Sequence, residues 1–327
     1  MKVLVTPRSF AKTDPTPQAM LEGAGLTVVR NPGEKPLEED DLIRLLSGVD
    51  GVIVGVDRLT ARVIQAADSL QAISKYGVGV DNIALAAATE RGIPVTITPG
   101  ANTTSVAELT VGLMLAAARR IPFADRLVRG GSWGQVVGRE LCGQTLGLVG
   151  MGMIGREVAK RAAAFGMKIV AFDQRQDAAF AAEHRVEYTG LDDLLSRSDF
   201  VSIHLPLTES TRGLIGEKAL ARMKRDAILV NTARGGIVDE AALARALKNE
   251  VIGGAALDVF AAEPAVGEEL RGLPNVVLTP HMGGHTAEAV SNMGRQAAKN
   301  LLDVLRGVPD PDVVVNRDAL KNREGPK

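Results

Sequence analysis

Residues 145–160, TLGLVGMGMIGREVAK, carry three glycines at a spacing suited to a phosphate-bearing ligand. A short apolar run, 146–149, leads into Gly150, Gly152 and Gly155, and a helical pattern follows. Each glycine meets a different demand. Gly150 makes a tight turn, Gly152 admits a pyrophosphate close to the backbone, and Gly155 lets helix and strand pack closely. A helix beginning there presents unpaired N–H groups and the positive end of its dipole. Asp173 closes the next apolar run, about 20 residues on, where a carboxylate accepts hydrogen bonds from adenosine ribose hydroxyls. Its charge repels a 2′-phosphate, so the pattern favours NAD over NADP. Arg175, just beyond, is the one neighbouring feature that favours NADP.

Hydride transfer between a nicotinamide and an alcohol carbon needs a base for the hydroxyl proton. It also needs a cation that holds an anionic substrate and polarises its carbonyl. Histidine suits the base because it titrates near neutrality. The chain has four: His184, His204, His281 and His285. His281 follows VVLTP at an expected strand exit and precedes Gly283 and Gly284, which let a ligand come close. His285 is its rival. His204 ends FVSIH and is expected to line a strand exit; His184, in EHRVEY, is expected to be exposed. Arg234, in ILVNTARGGIVDE, is the candidate cation. Fixed at a strand exit beside Gly235 and Gly236, its fork can grip a carboxylate at two points. Glu263, in DVFAAEP, is the candidate carboxylate, a buried acid that orients His281 and stabilises its charged form. Singly, each has a plainer reading: a surface ion pair for Arg234, a solvated charge for Glu263, a core hydrogen-bonder for His281. Spacing alone does not bring Glu263 to His281.

The elements that would position these residues are short apolar runs alternating with helical patterns. Runs at 3–5, 26–29, 51–54, 72–74 and 95–97 read as buried parallel strands, with helical segments such as 18–24 and 38–46 between them. A second series begins after Gly143, at 146–149, 169–172, 200–204, 228–231, 255–259 and 276–278. This predicts an α/β chain with two doubly wound parallel-sheet units of Rossmann or flavodoxin-like type. Open parallel sheets bind ligands at the carboxyl ends of their strands, and polar or special residues stand at nearly every exit of the second series. The alanine-rich segment 104–127 reads as an interdomain helix that also packs in the core, its first stretch ended by Arg119, Arg120 and Pro122. Residues 286–305 read as a second long helix that returns the chain to the first unit. The polar tail 322–327 is expected to be disordered.

Composition narrows the function classes. With 327 residues the chain can bury two cores. Lys plus Arg is 38 against 39 for Asp plus Glu, so no basic excess points to nucleic acid. Aromatics at 3% leave little for base stacking. One cysteine, Cys142, rules out an internal disulfide and a cysteine-rich metal site, and no metal is expected. Cys142 is expected to be a small buried residue. The first residues, MKVLVTP, read directly as a strand, and no apolar run is long enough to span a bilayer, so a cytoplasmic location without a membrane partner is expected.

Taken together, KYGVGVDNI (75–83), the GMGMIG turn, HLPLTEST (204–211), NTARGGIVDE (231–240), ALDVFAAEP (256–264) and TPHMGG (279–284) carry a specific resemblance. In this order they resemble the D-isomer-specific 2-hydroxyacid dehydrogenases, within them the phosphoglycerate-dehydrogenase-like branch, over about residues 52–302. The resemblance implies NAD-dependent oxidoreduction of a small anionic 2-hydroxy or 2-oxo acid. It implies Arg234 as substrate binder, Glu263 as orienting acid and His281 as general acid/base. The main chain at Val78 and Gly79 would hold the substrate carboxylate, with Lys75 near the pocket. Cofactor contacts carry over to Gly150, Gly152, Gly155, Met153 and Ile154 (pyrophosphate), Asp173 (ribose), Leu205, Pro206, Thr211, Thr232 and Ala233. Asp258 would hold the carboxamide, and Val78, His281 and Gly283 would lie near the ring. The implied domains are a discontinuous substrate-binding domain, 1–98 and 286–327, and an NAD-binding Rossmann domain, 99–285, joined by interdomain helices. A homodimer joined through the cofactor domains is implied as well.

Two departures from the family pattern bear on the substrate. Phosphoglycerate dehydrogenases proper place an arginine and a serine after the strand that here reads GVIVGVD, where this chain has Gly55 and Val56, with Arg58 nearby. From its length a serine-feedback regulatory domain is not expected, and His285 stands where the family more often has a small residue. A phosphoglycerate dehydrogenase of serine biosynthesis is therefore the alternative enzyme. An NAD-sensing corepressor-like binding protein is the alternative of another class; it would need an exposed peptide groove, which no feature marks.

Overall fold

A computed structural model describes residues 1–33 and 35–321; the tail 322–327, expected to be disordered, lies outside the described residues. The chain divides into two compact units, 1–102 with 284–327, and 103–283.

The first unit is a parallel sheet of β1 (Lys2–Val5), β2 (Thr27–Arg30), β3 (Gly51–Val54), β4 (Ala72–Lys75) and β5 (Val95–Thr96), in the order β2-β1-β3-β4-β5. Its central strands are buried on both faces, which is why they read as unbroken apolar runs. Val3, Val5, Ile53 and Ala72 point to one face, against Leu21 of the helix Thr16–Gly23 and Ala297 and Leu301 of the helix Ala287–Leu305. Leu4, Val52, Val54 and Ile73 point to the other, against Leu42, Val63, Ile64 and Ala88 of three short helices. Leu301 is fully buried, a burial that contributes about 1.5–3 kcal/mol. Thr286 caps the helix Ala287–Leu305 by accepting the Ala289 N–H, which ends the fraying of its first turn.

The second unit is a seven-stranded parallel sheet of β6 (Thr145–Val149), β7 (Lys168–Phe172), β8 (Val186–Tyr188), β9 (Phe200–Ile203), β10 (Ile228–Asn231), β11 (Gly254–Leu257) and β12 (Val276–Leu278). The order is β12-β11-β10-β9-β6-β7-β8. The order in which successive strands are added reverses at β6, so β6 and β9 flank the crevice where a doubly wound sheet receives a dinucleotide. Alternate residues again serve two cores. Leu146, Leu148, Ile228 and Val230 pack with Met114 and Val158 of the helices Thr103–Ala118 and Met153–Ala164. Val149, Val201, Leu229 and Leu257 pack with Leu194, Leu195 and Leu243 of the opposite layer.

The segment 104–127 breaks where Arg119, Arg120 and Pro122 were expected to end its first stretch, giving two helices, Thr103–Ala118 and Ile121–Arg129, with Arg120 left-handed (φ 54°) between them; proline, which has no N–H to donate, fits a helix only in its first turn. Three expectations need correction. Strand β8 was hidden in polar EHRVEY, since an edge strand with only Val186 buried shows no apolar run. His184 ends the helix Ala178–His184 with its side chain 22% exposed and its ring 4.3 Å from Phe180, rather than lying in the open. Cys142 is exposed, not buried. Among the described residues, no helix is long and apolar enough to cross a membrane.

Asp14 fastens the chain before the helix Thr16–Gly23 to the helix Ala287–Leu305. Its carboxylate accepts Ser291 Oγ at 2.5 Å, Arg295 Nε at 2.7 Å and the Thr16 N–H at 3.0 Å. Arg295 first, then Ser291 and Thr16, hold its acidity well below the usual carboxylate range. A depressed native pKa stabilises above the unfolded value and is lost as pH falls. Asp14→Asn is expected to lower the melting temperature at neutral pH. The gap to the parent chain is expected to shrink only below about pH 3.9, where an unfolded aspartate protonates; thermal melts across pH check this.

Candidate active site

The carboxyl ends of the strands in the second unit gather the polar residues. At the exit of β6, Gly150 takes φ +106° and lies so near the His204 carbonyl that a Cβ there would clash. A Cβ on Gly155 would collide with the Gly150 carbonyl, whereas a Cβ on Gly152 would meet nothing within 4 Å. Open space thus remains above the turn. The helix Met153–Ala164 starts at Gly152 without a side-chain cap, so its first N–H groups stay available to an anion. Asp173, at the exit of β7, accepts the Met151 N–H with one oxygen and the Arg175 N–H with the other, each at 2.7 Å. These bonds orient the carboxylate while each oxygen keeps acceptor capacity for a ribose hydroxyl. The uncapped helix start, the space over Gly152 and the held acid fit a dinucleotide lacking a 2′-phosphate.

Past β9, Leu205 and Pro206 open a loop closed by Thr211, whose hydroxyl donates to the Pro206 carbonyl at 2.7 Å. Past β10, Asn231 is buried and locks the next residues. Its side chain accepts the Ala233 N–H at 3.0 Å and donates to the Arg234 carbonyl at 2.9 Å. Thr232, Ala233 and Arg234 are thereby presented as one fixed turn, with Arg234 Nη1 donating to the Ala233 carbonyl at 2.7 Å. Past β11, Asp258 is 1% exposed. It accepts the Thr279 hydroxyl at 2.6 Å and the Met282 and Gly283 N–H groups at 2.8 and 2.9 Å. Its own carbonyl accepts the His281 N–H at 2.8 Å. The loop bearing His281 is therefore tied to β11 at four points, which sustains the left-handed backbone of His281 (φ 50°).

His281 Nδ1 lies 2.7 Å from Glu263 Oε2, with the histidine side chain 40% and the glutamate side chain 32% exposed. Glu263 is exposed, rather than buried as expected from the sequence. Its other oxygen accepts the Phe260 N–H at 3.0 Å. Burial pushes the Glu263 carboxyl up, but the His281 hydrogen bond and charge, the Phe260 N–H and the Arg234 charge together outweigh it. The net effect holds Glu263 below the ordinary glutamate range. Arg234, Glu263 and His281 thus share one electrostatic neighbourhood.

The other histidines are placed differently. His204 Nε2 is 2.9 Å from Ser202 Oγ, and burial pushes its imidazole down to about 3, so it stays neutral where a base must exchange protons. His285 is exposed and belongs to the first unit, just before the helix Ala287–Leu305. In that unit Lys75, Val78 and Gly79 sit at and after the end of β4. Lys75 is 8% exposed, and its ammonium donates to the Gly55 carbonyl at 2.5 Å and Asn82 Oδ1 at 2.8 Å. Arg58 lies within electrostatic reach of Glu39. Asn231 and Thr279, which act as supports, and two hydroxyls of the helix Thr103–Ala118, Ser105 and Thr110, are functional neighbours not marked along the chain. The signal for the last two was polar residues inside an otherwise apolar helix.

Comparison with known proteins agrees with this geometry. Residues 111–283 match the family model described as D-isomer specific 2-hydroxyacid dehydrogenase, NAD binding domain. A hydroxypyruvate reductase of Thermotoga maritima is 46% identical over 82% of this chain and 89% of its own. A D-3-phosphoglycerate dehydrogenase of Rattus norvegicus is 42% identical over 96% of this chain and 58% of its own. The crystal structure of a glyoxylate reductase from Paecilomyes thermophila superposes with a TM-score of 0.85 at 32% identity, covering 96% of this chain and 98% of that one. With its glycine turn, ribose acid and sheet order on the page, the chain belongs to the D-isomer specific 2-hydroxyacid dehydrogenases and is an NAD-dependent oxidoreductase.

Proposed function

We propose that the chain interconverts small 2-hydroxy and 2-oxo acids of glyoxylate and hydroxypyruvate size, with Arg234, Glu263 and His281 as its catalytic groups. The observation that carries this reading is the 2.7 Å contact of His281 with Glu263 in the electrostatic reach of Arg234. When bound, NAD would accept a hydride and NADH would supply one. Glu263 accepts from Nδ1 of the His281 imidazole, which leaves Nε2 to take or return the substrate's hydroxyl proton. Arg234 binds the substrate carboxylate and polarises the carbonyl. Its turn is kept in place by Asn231, so little ordering remains to be done when substrate arrives. In the same assignment Val78 and Gly79 hold the substrate carboxylate through main-chain groups, with Lys75 as a further substrate contact. Gly150, Gly152, Met153, Ile154, Gly155 and Asp173 hold the cofactor's phosphates and ribose. Leu205, Pro206, Thr211, Thr232, Ala233, Asp258 and Gly283, with Val78, complete its contacts.

The similarity to a hydroxypyruvate reductase supports a small substrate, and Gly55 and Val56 at the exit of β3 supply no side-chain cation for a phosphate. A homodimer is also part of this reading. The helix Ile121–Arg129 has no buried residue, and Ile121, Val128, Trp133 and Val137 are exposed, Trp133 to 92%; several exposed apolar side chains within residues 121–137 suit a protein contact.

Three measurements test the proposal. NADH oxidation is expected with glyoxylate and hydroxypyruvate and to be much weaker with 3-phosphohydroxypyruvate; the reverse ranking makes the chain a phosphoglycerate dehydrogenase. His281→Asn is expected to lower kcat by roughly 10²–10⁴-fold with NADH affinity nearly unchanged, whereas His285→Asn retains most turnover. In sedimentation the chain is expected to run as a dimer, and Trp133→Ser with Val137→Ser to shift it toward monomer.

A further inference from the structure

The helix Thr103–Ala118 is apolar along most of its length, yet it buries Ser105 (6% exposed) and Thr110 (0%). Both hydroxyls reach loops at the ligand edge of the second sheet. Ser105 Oγ donates to the Gly283 carbonyl at 2.5 Å. Thr110 Oγ1 lies 2.8 Å from the Val106 carbonyl and 2.8 Å from Thr232 Oγ1. A carbonyl has no proton to give, so the first contact uses the single proton of Thr110. The second is then a hydrogen bond only if Thr232 donates. With its proton turned into the helix, Thr232 can offer a ligand nothing but lone pairs.

We propose that Thr110 is a positioning residue that makes the Thr232 hydroxyl an obligatory acceptor, and that this acceptor selects the amine side of the nicotinamide carboxamide. The inference rests on the reading that the exit of β10 receives the nicotinamide end of NAD. A carboxamide carries a donor and an acceptor on nearly the same outline, so shape alone barely distinguishes its two orientations. A hydroxyl free to rotate would accept either end. One committed as an acceptor favours the NH₂ group and disfavours the carbonyl, whose lone pairs it would face. Setting the carboxamide fixes its rotation about the bond to the ring, and so which of its two ends meets the exit of β10. Ser105, holding the Gly283 carbonyl from the same helix, keeps the neighbouring loop in register with that choice.

The test compares dissociation constants for NADH and for ADP-ribose, which lacks the nicotinamide. Thr110→Val is expected to weaken NADH about 5- to 10-fold and ADP-ribose less than about twofold, while Thr110→Ser retains both affinities. Because Thr110 acts through Thr232, Thr110→Val is expected to add nothing in a Thr232→Val background. Thr110→Ala serves where the valine variant does not fold. Equal weakening of NADH and ADP-ribose, unchanged NADH affinity, or independent addition of the two substitutions overturns the inference. If Thr232→Val alone changes the NADH to ADP-ribose ratio and Thr110→Val does not, only the role of Thr110 fails. If Thr232→Val leaves that ratio untouched, the nicotinamide assignment fails with it.

Discussion

A buried carboxylate, Asp258, ties the reactive edge of this enzyme together. Its N–H donates to the Asn231 carbonyl at 2.9 Å, which couples β11 to the turn that carries Arg234. Its carbonyl and side chain together take the His281, Met282 and Gly283 N–H groups and the Thr279 hydroxyl. Taking a carboxylate out of water is costly unless donors replace the lost hydration. Here the donors are the loop itself, so the carboxylate is satisfied only when the His281 loop is folded in its one arrangement. Removing the acid would leave backbone N–H groups buried without partners, a penalty of about 1–3 kcal/mol for each.

Around that junction the charges are arranged in sequence rather than in isolation. Glu263 is held ionised by His281, the Phe260 N–H and Arg234 against the opposing effect of burial. A carboxylate kept ionised by its neighbours orients the imidazole without drawing its proton away. His204, close by at the β6–β9 crevice, has the opposite fate: burial without an anionic partner keeps it neutral. The same side chain thus pairs with an anion or stays an uncharged support according to what faces it. The parallel sheet makes this economical, because all seven strands deliver their next residues to the same edge.

Much of this was readable along the chain, and the reason is physical. The central strands of a doubly wound sheet are buried on both faces, so β3 and β10 announce themselves as apolar runs with the observed limits. The turn at Gly150, Gly152 and Gly155 is a local constraint, written in a few consecutive residues. Asp173 stands at the end of the next run for the same reason. What stayed hidden were features whose signal is weak locally. Strand β8 is short, at an edge and mostly polar. Cys142 is exposed although its type is more often buried.

The two parallel-sheet patterns, the glycine turn and the kinds of polar residue standing at strand ends are legible in the chain alone, because each depends on neighbours within one element. Which of those residues meet follows from how the elements pack. Glu263 reaches His281 across the ends of two strands, Asp258 reaches the loop beyond β12, and Thr110 turns the proton of Thr232 from a helix far away in the chain. Such contacts join residues remote in sequence, and their geometry follows from how helices pack on the sheet. No spacing along the chain encodes it.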